Sequence, residues 1–231
     1  MLNKFISFLL PIFIVPLISL AEWIPLNSSN SAVRATPKVT LLHQNARESV
    51  IKIELSGFEM NDFVAGRTAY QSVDILSEAL TLMPGLPELP YVATILAIPD
   101  QASVRVEVVE TGQESTFRNI YLPPARKSWY EGDTEPSYTE ESIAYRADNL
   151  YPAVAAKLDP PPVFRDFRIA RLSVFPVRYN AAKRELYVAS SITVRVVYGD
   201  EKAINPRTAS KRPIAPSFGK VYRSTIFNYQ E

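Results

Sequence analysis

Catalytic chemistry has few candidate side chains in this sequence of 231 residues. Cysteine is absent, so a thiol nucleophile, a thiolate metal site and a disulfide are all excluded within the chain. The single histidine, His43, has no aspartate or serine beside it in a recognisable catalytic motif, which favours a surface or packed histidine. Glycine-rich phosphate loops are also missing. We therefore predict no catalytic residue, no metal and no cofactor.

Carboxylates and aromatic side chains leave two weaker alternatives. The 24 aspartates and glutamates could include a catalytic pair, but no spacing marks one, and scattered acids usually form a solvated face. Four aromatic residues lie among charged residues and could form a platform for a sugar, although packing is the commoner cause: Tyr121, Trp129, Tyr130 and Tyr138. The chain itself is predicted not to be an enzyme.

Charge and composition exclude two classes of partner and favour a packed β protein. The 25 lysines and arginines almost balance the acids, which gives a net charge of +1. Without a net field, neither nucleic acid nor an anionic membrane is an expected partner. Hydrophobic residues make up 47% of the chain, which is enough for a sizeable core.

The N-terminus has the pattern of an export signal. A short basic start, residues 1–4, precedes an apolar stretch, residues 5–20, and small residues at Ser19 and Ala21 place cleavage after Ala21. The alternative is a membrane anchor, but a stretch of this length broken by two prolines is short for a span of about 20 residues. We predict a signal peptide over 1–21, a secreted product and no membrane association after its removal.

Alternation of apolar residues predicts an all-β fold, an antiparallel β-sandwich of jelly-roll-like kind over residues 38–199. Ile51, Ile53 and Leu55 face one way, which is the period of a half-buried strand. The apolar run 91–98 is expected to be a central strand buried on both faces. Further strands are predicted at 104–108, 117–122, 165–179, 186–189 and 192–198, with a turn at 180–183.

Short helices are expected only in the connections between strands. Two groups of residues have helical spacing: Val73, Leu76, Ala79 and Leu80 in the first, and Ile143, Ala147 and Leu150 in the second. Outside the sandwich, residues 22–37 are predicted to be a flexible leader. Residues 200–217 have the basic, proline-rich composition of a linker, and residues 218–231 become apolar and aromatic again.

A set of short stretches carries a resemblance when the stretches are taken in order. They are Leu55–Phe58, Pro84–Pro90, Ala97–Pro99, Val104–Val108, Leu150–Pro152, Phe164–Asp166, Val174–Asn180, Ile192–Val196 and Phe218–Tyr229. No single stretch is specific, but the ordered set, over about residues 45–230, resembles the propeptide of gingipain-type cysteine peptidases.

The resemblance implies a β-sandwich prodomain that assists folding of a peptidase and masks its active-site cleft. The partner would be a cognate cysteine peptidase domain downstream in the precursor, and residues 218–231 would be the junction to it. The resemblance also implies export from a Gram-negative cell, through the periplasm, to the exterior or the cell surface. The alternative is a non-catalytic β-sandwich module for adhesion or carbohydrate binding, which sequence downstream of Glu231 would distinguish.

A prodomain of this kind needs a side chain for the specificity pocket of its peptidase. If that peptidase prefers basic residues, a loop arginine or lysine would serve. Arg126 and Lys127 are the candidates, because they follow Pro123–Pro124 and lie beside an acidic stretch. The alternative is that both are ordinary solvated loop charges.

Release of the prodomain is expected within the linker, because proteolytic nicking concentrates in exposed, flexible segments. Arg207, Lys211 and Arg212 are the candidate processing residues. Pro213 follows Arg212, and a proline there usually blocks cleavage, so Arg207 is the first choice. Arg223–Ser224 is a further candidate, but it lies in the apolar junction.

Overall fold

The computed structural model describes residues 21–26, 33–208 and 216–229. The predicted signal peptide up to residue 20, and the candidate processing residues Lys211 and Arg212, lie outside the described residues. The strands are β1 (Glu22–Pro25), β2 (Lys38–Gln44), β3 (Glu48–Glu54), β4 (Gly57–Ala65), β5 (Thr68–Asp74), β6 (Ala79–Leu80), β7 (Pro90–Ile98), β8 (Ser103–Thr111), β9 (Glu114–Arg118), β10 (Ala156–Leu158), β11 (Val163–Phe164), β12 (Phe167–Val174), β13 (Val177–Asn180), β14 (Glu185–Ala189) and β15 (Ser191–Gly199). The helices are α1 (Ser142–Arg146) and α2 (Pro216–Thr225).

Antiparallel pairing organises these strands into sheets around a main apolar core, and a smaller apolar cluster forms at Ile169, Tyr222 and Ile226. One sheet has the order β2-β3-β15-β8, and another has the order β10-β12-β7-β6 with β11 added at β12. Smaller sheets, β1-β4-β5 and β13-β14-β9, complete the sandwich. The antiparallel β-sandwich predicted from the sequence is confirmed.

The core is supplied by the alternating residues that the sequence pattern singled out. Ile51, Ile53 and Leu55 are buried at the start of the fold, as expected for one face of a strand. They pack with the inward residues of the last strand, which are Ile192, Val194, Val196 and Tyr198. A register shift between Thr193 and Val194 bends β15 against β8. Burial of such side chains, at about 25 cal/mol per Å² of apolar surface, is the main force that holds the sandwich together.

The predicted helix at residues 73–80 is wrong. Val73 lies in β5 opposite Met60 of β4, and Ala79 begins β6 opposite Tyr91 of β7. Leu76, which would have lain on the apolar face of the helix, is exposed. Pairing of β5 with β4, and of β6 with β7, satisfies the backbone at the two ends of this segment, and this tertiary pairing overrides weak helical spacing.

The second predicted helix is present but shorter than expected. The structure forms α1 from residue 142 and ends it at Arg146, where Ala147 takes an extended conformation with φ −72° and ψ 126°. Ile143 is exposed, whereas Tyr145 is buried against the core. A helix of little more than one turn is marginal alone and is held here by its tertiary contacts.

Residues 216–229 fold back on the sandwich, which the sequence did not predict. Phe218, Tyr222 and Ile226 recur every fourth residue, a spacing that places them on one face of a helix. Tyr222 and Ile226 are buried against Ile169 of β12. This helical spacing was a usable signal in what was read only as an apolar junction.

The ends of the sandwich are more ordered than their composition suggested. Residues 22–25, predicted as part of a flexible leader, form β1 and pair with residues 57–60 of β4. Residues 200–208, predicted as flexible linker, are fastened by Arg168, whose guanidinium donates to the carbonyl of Ile204 at 2.8 Å. Long-range hydrogen bonds of this kind are not visible in local composition, so both segments looked looser than they are.

Candidate functional site

The site is built on a long loop, residues 123–141, which we call the basic loop because it carries Arg126 and Lys127. Its two ends are hydrogen-bonded to the neighbouring segment 84–88. The bonds are Gly85 N to Ala125 O (2.9 Å), Ala125 N to Leu86 O (2.8 Å), Glu88 N to Pro123 O (3.0 Å) and Glu141 N to Gly85 O (2.9 Å). The base of the loop is therefore tied to the sandwich on both sides.

Gly85 allows this close approach. Its φ of 84° lies in the left-handed region that side chains disfavour. A Cβ atom added at Gly85 would lie 3.2 Å from the backbone nitrogen of Glu141. The glycine of the Pro84–Pro90 stretch is thus required where the two ends of the basic loop meet.

Arg126 is held inside the basic loop and is not directed outward. Its guanidinium donates to the carboxylate of Glu135 and lies 4.7 Å from the ring centroids of both Trp129 and Tyr138. Its side chain is only 23% exposed. A planar guanidinium suits this arrangement, because it can stack on aromatic faces while it donates in its own plane. Arg126 therefore links three parts of its own loop.

The residues that follow Arg126 are the ones presented to solvent. Lys127 is exposed, Trp129 is 43% exposed, and Tyr130 is 84% exposed. The segment turns back through a hydrogen bond of 3.1 Å from the Tyr130 backbone N–H to the carboxylate of Asp133. A groove of about 470 Å³ runs beside the two basic residues, lined also by Pro84, Gly85, Ser137 and Glu140. The arrangement can present a cation and two aromatic rings from an anchored base.

A ladder of aromatic rings supports the basic loop from beneath. Tyr138 packs on Phe63 and Tyr70 at centroid distances of 5.8 and 5.5 Å, and Tyr70 packs on Tyr121 at 5.1 Å. The Tyr121 hydroxyl donates to the carboxylate of Glu140. Burial, and then this carboxylate, raises the pKa of Tyr121, so the hydroxyl stays protonated at neutral pH.

The candidate sugar platform is therefore not assembled as one surface. Tyr121 and Tyr138 belong to the packed ladder, whereas Tyr130 is exposed at the far end of the loop. Trp129 lies against Arg126. Packing accounts for two of the four aromatic residues.

The segment that leads from β9 into the basic loop, residues 119–122, is fastened by two more tyrosines. The hydroxyl of Tyr179 donates to the Ile120 carbonyl at 2.7 Å, and that of Tyr145 donates to the Leu122 carbonyl at 3.1 Å. Burial raises the pKa of Tyr179 to about 12. Both hydroxyls remain donors at any physiological pH, so the entry to the loop is fixed.

Two half-buried acids lie near the loop and shape its electrostatics. Burial, together with the charge of Asp74, raises the pKa of Glu88, while Arg126 acts in the opposite direction. Burial and the charge of Glu59 likewise raise the pKa of Asp74. Arg126 thus has Glu88 near it on the sandwich side as well as Glu135 on the loop side.

Arg207, the first choice for processing, is held on the sandwich. Its side chain is 16% exposed and forms two bonds with Asp100, Nε to Oδ1 at 2.8 Å and Nη2 to Oδ2 at 2.9 Å. Its backbone N–H donates to the Asp100 carbonyl at 3.1 Å, and its own carbonyl accepts from Gln101 at 2.8 Å. A protease must draw the chain into an extended strand, so this geometry disfavours Arg207 as a substrate.

The other described residues that the sequence singled out are His43 and Arg223. His43 contacts the side-chain nitrogen of Asn45 at 2.9 Å. Within the described ranges, no cluster of three or more histidine, cysteine or acidic residues could hold a metal ion. The part of the chain that the structure describes also contains no helix long and apolar enough to span a membrane. Arg223 lies in the last turn of α2.

Comparison with known proteins assigns this chain to a class of proteins, the propeptides. The family model Propeptide_C25 matches residues 29–231. The chain belongs to this family of propeptides. The predicted resemblance to the gingipain propeptide is thereby confirmed, and the family match favours a prodomain over an adhesion module.

Individual relatives agree with the family assignment. Gingipain R2 of Porphyromonas gingivalis is 24% identical over 197 residues, which cover 84% of this chain and 26% of the relative. The chain thus spans about a quarter of the length of that relative. A complex of Porphyromonas gingivalis RgpB pro- and mature domains contains a chain with a TM-score of 0.74 and 22% identity, covering 84% of this chain and 98% of the other. A structure of gingipain K from the same organism, solved for its zymogenic latency, gives a TM-score of 0.65 and 20% identity, with coverages of 78% and 98%.

Proposed function

We propose that this chain is the prodomain of a secreted gingipain-like cysteine endopeptidase, which it inhibits until proteolytic release and whose folding it assists. The observation that carries the proposal is the basic loop, anchored at its base and locked by Arg126, with Lys127 and Tyr130 exposed beside the lock. Membership in the propeptide family supports it.

Rigidity of the basic loop suits an inhibitor. A flexible loop would lose conformational freedom on entering a cleft, and each immobilised side chain costs about 0.5–1.5 kcal/mol. Arg126 removes part of this cost beforehand, because Glu135, Trp129 and Tyr138 already hold it. A loop fixed before binding also resists the distortion that cleavage requires, so it can occupy the cleft without being turned over.

The two basic residues take different roles in this proposal. Lys127 is the exposed cation that a carboxylate in a specificity pocket would accept. Arg126 is the positioning residue that fixes the loop on which Lys127 stands. Trp129 and Tyr130 are of the residue types that dominate binding energy at interfaces.

Secretion is a further part of the proposal. The predicted signal peptide, residues 1–21, would direct the chain through the periplasm of a Gram-negative cell, and the cognate peptidase would reach the exterior or the cell surface. The similarity to gingipains of Porphyromonas gingivalis, a Gram-negative bacterium, supports the assignment. The expected partner is the peptidase domain itself.

Inhibition of the cognate peptidase is the decisive test. The purified chain, added in increasing amounts to the mature peptidase, should abolish hydrolysis of a basic peptide substrate with a measurable inhibition constant. Replacing both Arg126 and Lys127 with alanine should raise that constant tenfold or more, about 1.4 kcal/mol. Lys202→Ala, which removes an exposed lysine beyond β15, is the matched control and should leave the constant unchanged.

The two possible failures differ in what they overturn. A native chain that does not inhibit would contradict the inhibitor proposal. A double variant that inhibits as well as the native chain would contradict only the assignment of the basic loop. Folding assistance is tested separately, by refolding the denatured peptidase with and without the chain and measuring recovered activity.

A further inference from the structure

Residues 216–229, which we call the tail, complete an open strand edge of the sandwich. Asn228 accepts from the backbone N–H of Ala97 at 2.7 Å and donates to the Ala97 carbonyl at 3.0 Å. One residue earlier, the backbone N–H of Phe227 donates to the Ile95 carbonyl at 2.8 Å. β7 is paired with β12 along its other edge. The tail thus takes the place that a neighbouring strand would occupy beside residues 95–97.

The helical part of the tail covers the outer face of the same sheet. Tyr222 is fully buried, with its ring 4.9 Å from that of Phe167 and 5.9 Å from that of Phe164. Its hydroxyl donates to the carboxylate of Asp166. The Arg165 guanidinium lies 3.6 Å from the ring centroid of Phe218. The tip of the β11–β12 hairpin, residues 164–167, therefore holds the tail through ring contacts, a hydrogen bond and a cation–π contact.

Residues 200–208, which precede the tail in the chain, are also attached to the sandwich. Arg207 is paired with Asp100, and the Ile204 carbonyl accepts two bonds from Arg168, at 3.2 and 2.8 Å. Residues 200–208 are bonded to Asp100 and Arg168, whereas the backbone of Phe227 and the side chain of Asn228 are bonded to β7. Each segment thus has its own attachment.

We propose that the surface formed by β7, β12 and residues 164–167 is a docking site for the tail. Its noncovalent contacts hold the tail even when the chain between the sandwich and the tail is cut. A cut between Thr208 and Pro216 therefore leaves the tail bound to the sandwich. Resting on the proposed function, the consequence is that a precursor nicked at Lys211 or Arg212 stays assembled. Whatever follows the tail remains tethered at a high effective concentration, and separation requires dissociation of the tail or a cut beyond it.

The test places the recognition sequence of a site-specific protease within residues 209–215 of the full chain. After complete cutting under native conditions, gel filtration and native mass spectrometry should find the fragment that contains residues 216–231 together with the sandwich. In denaturant the two should separate. A fragment that leaves the folded native sandwich at once would overturn the proposal.

Substitutions identify the contacts responsible. Asn228→Ala removes both bonds to Ala97, and Tyr222→Ala empties the buried ring site, so each should speed release of the cut fragment at least tenfold. Val221→Ala changes an exposed residue of the same helix and should leave the rate unchanged. Equal release rates for all three variants would contradict the docking site.

The assay needs only this chain, so its outcome is independent of inhibition. Asn228→Ala is the milder variant and leaves the core intact, which keeps the test informative if Tyr222→Ala does not fold. Tail retention with no inhibition would contradict the proposed function alone. Inhibition with immediate tail release would contradict the docking site alone.

Discussion

Arg207 and Asp100 form a bidentate ion pair that joins residues 200–208 to the turn between β7 and β8. Bidentate guanidinium–carboxylate pairs combine charge with fixed geometry. Here the same two residues are joined again through a backbone hydrogen bond of 3.1 Å. The pair turns what composition suggested was a linker into part of the folded unit.

Protease resistance at Arg207 follows from this pair. Trypsin applied briefly to the native chain should spare the Arg207–Thr208 bond, whereas Asp100→Ala should make it cleavable, at a rate at least tenfold higher. Mass spectrometry of the fragments checks both. Lys157→Ala, which removes an exposed ion pair with Asp159 elsewhere, is the control and should not change cleavage at Arg207. Rapid cutting at Arg207 in the native chain would show that the pair does not protect it.

Separate substitutions should distinguish the two basic residues. Lys127→Ala should weaken inhibition of the cognate peptidase without changing the stability of the chain, since an exposed charge contributes little to folding. Arg126→Lys should also weaken inhibition, because an ammonium group cannot reproduce the stacking on Trp129 and Tyr138. Inhibition constants and urea midpoints measure the two effects.

Normal inhibition by both variants would contradict both roles. If Arg126→Lys and Lys127→Ala each inhibited as well as the native chain, neither residue would contact or position anything in the cleft. A Glu135→Gln variant gives a further comparison, because it should mimic Arg126→Lys by removing the negative charge that pairs with Arg126 within the loop.

Arg168 should be among the most sensitive positions in the fold. Its buried guanidinium donates to the carbonyls of Pro99 and Ala102, each at 2.7 Å, as well as to Ile204. Arg168→Leu would leave buried acceptors unpaired, at about 1–3 kcal/mol each, so we expect a loss of about 3 kcal/mol or more. Urea unfolding measures the loss. Arg105→Ala, at an exposed ion pair, should change stability by less than about 0.5 kcal/mol.

The pH dependence of stability should reveal the half-buried Asp74. Burial, and repulsion from the like charge of Glu59, which lies opposite Asp74 in the β4–β5 pair, raise the pKa of Asp74 in the folded state. Its contribution to stability is therefore present at acidic pH and is lost as the pH rises through the folded pKa. Asp74→Asn cannot ionise, so its urea midpoint relative to the native chain should rise between pH 4 and pH 7.

Glu54 provides a control of opposite sign. A hydrogen bond from Lys52 lowers the pKa of Glu54. Glu54 therefore stabilises the folded chain above its ordinary pKa and loses that effect as the pH falls. The urea midpoint of Glu54→Gln relative to the native chain should fall between pH 4 and pH 7. The same trend in both variants would contradict the assignment of causes.

Local pattern was sufficient for much of the sandwich. The alternation of Ile51, Ile53 and Leu55 predicted β3, which ends one residue before Leu55. The length and β-branched content of the apolar run 91–98 predicted β7. These strands face a core on one side or are covered on both, so burial itself imposes the pattern that was read. The β4–β5 hairpin was not predicted, because its outward residues mix polar and apolar types and give no clear alternation.

The site was predictable only as a pair of adjacent charges. Sequence placed Arg126 and Lys127 together but could not divide their roles, because the division depends on Glu135 and Tyr138, nine and twelve positions beyond Arg126. The attachment of Arg207 to Asp100, across 107 positions, is invisible to composition for the same reason. Contacts between distant residues are set by the fold, and local spacing carries no record of them.

The tail on β7 also affects how readily the sandwich associates with other copies of itself. Without it, the N–H of Ala97 and the carbonyl of Ile95 would lie bare along a strand edge, next to the uncovered apolar rings of Phe164 and Phe167. A bare edge is a template on which another chain can add as an extra strand. The side-chain amide of Asn228 occupies the N–H and the carbonyl of Ala97, so no further strand can pair there, and it therefore also opposes self-association.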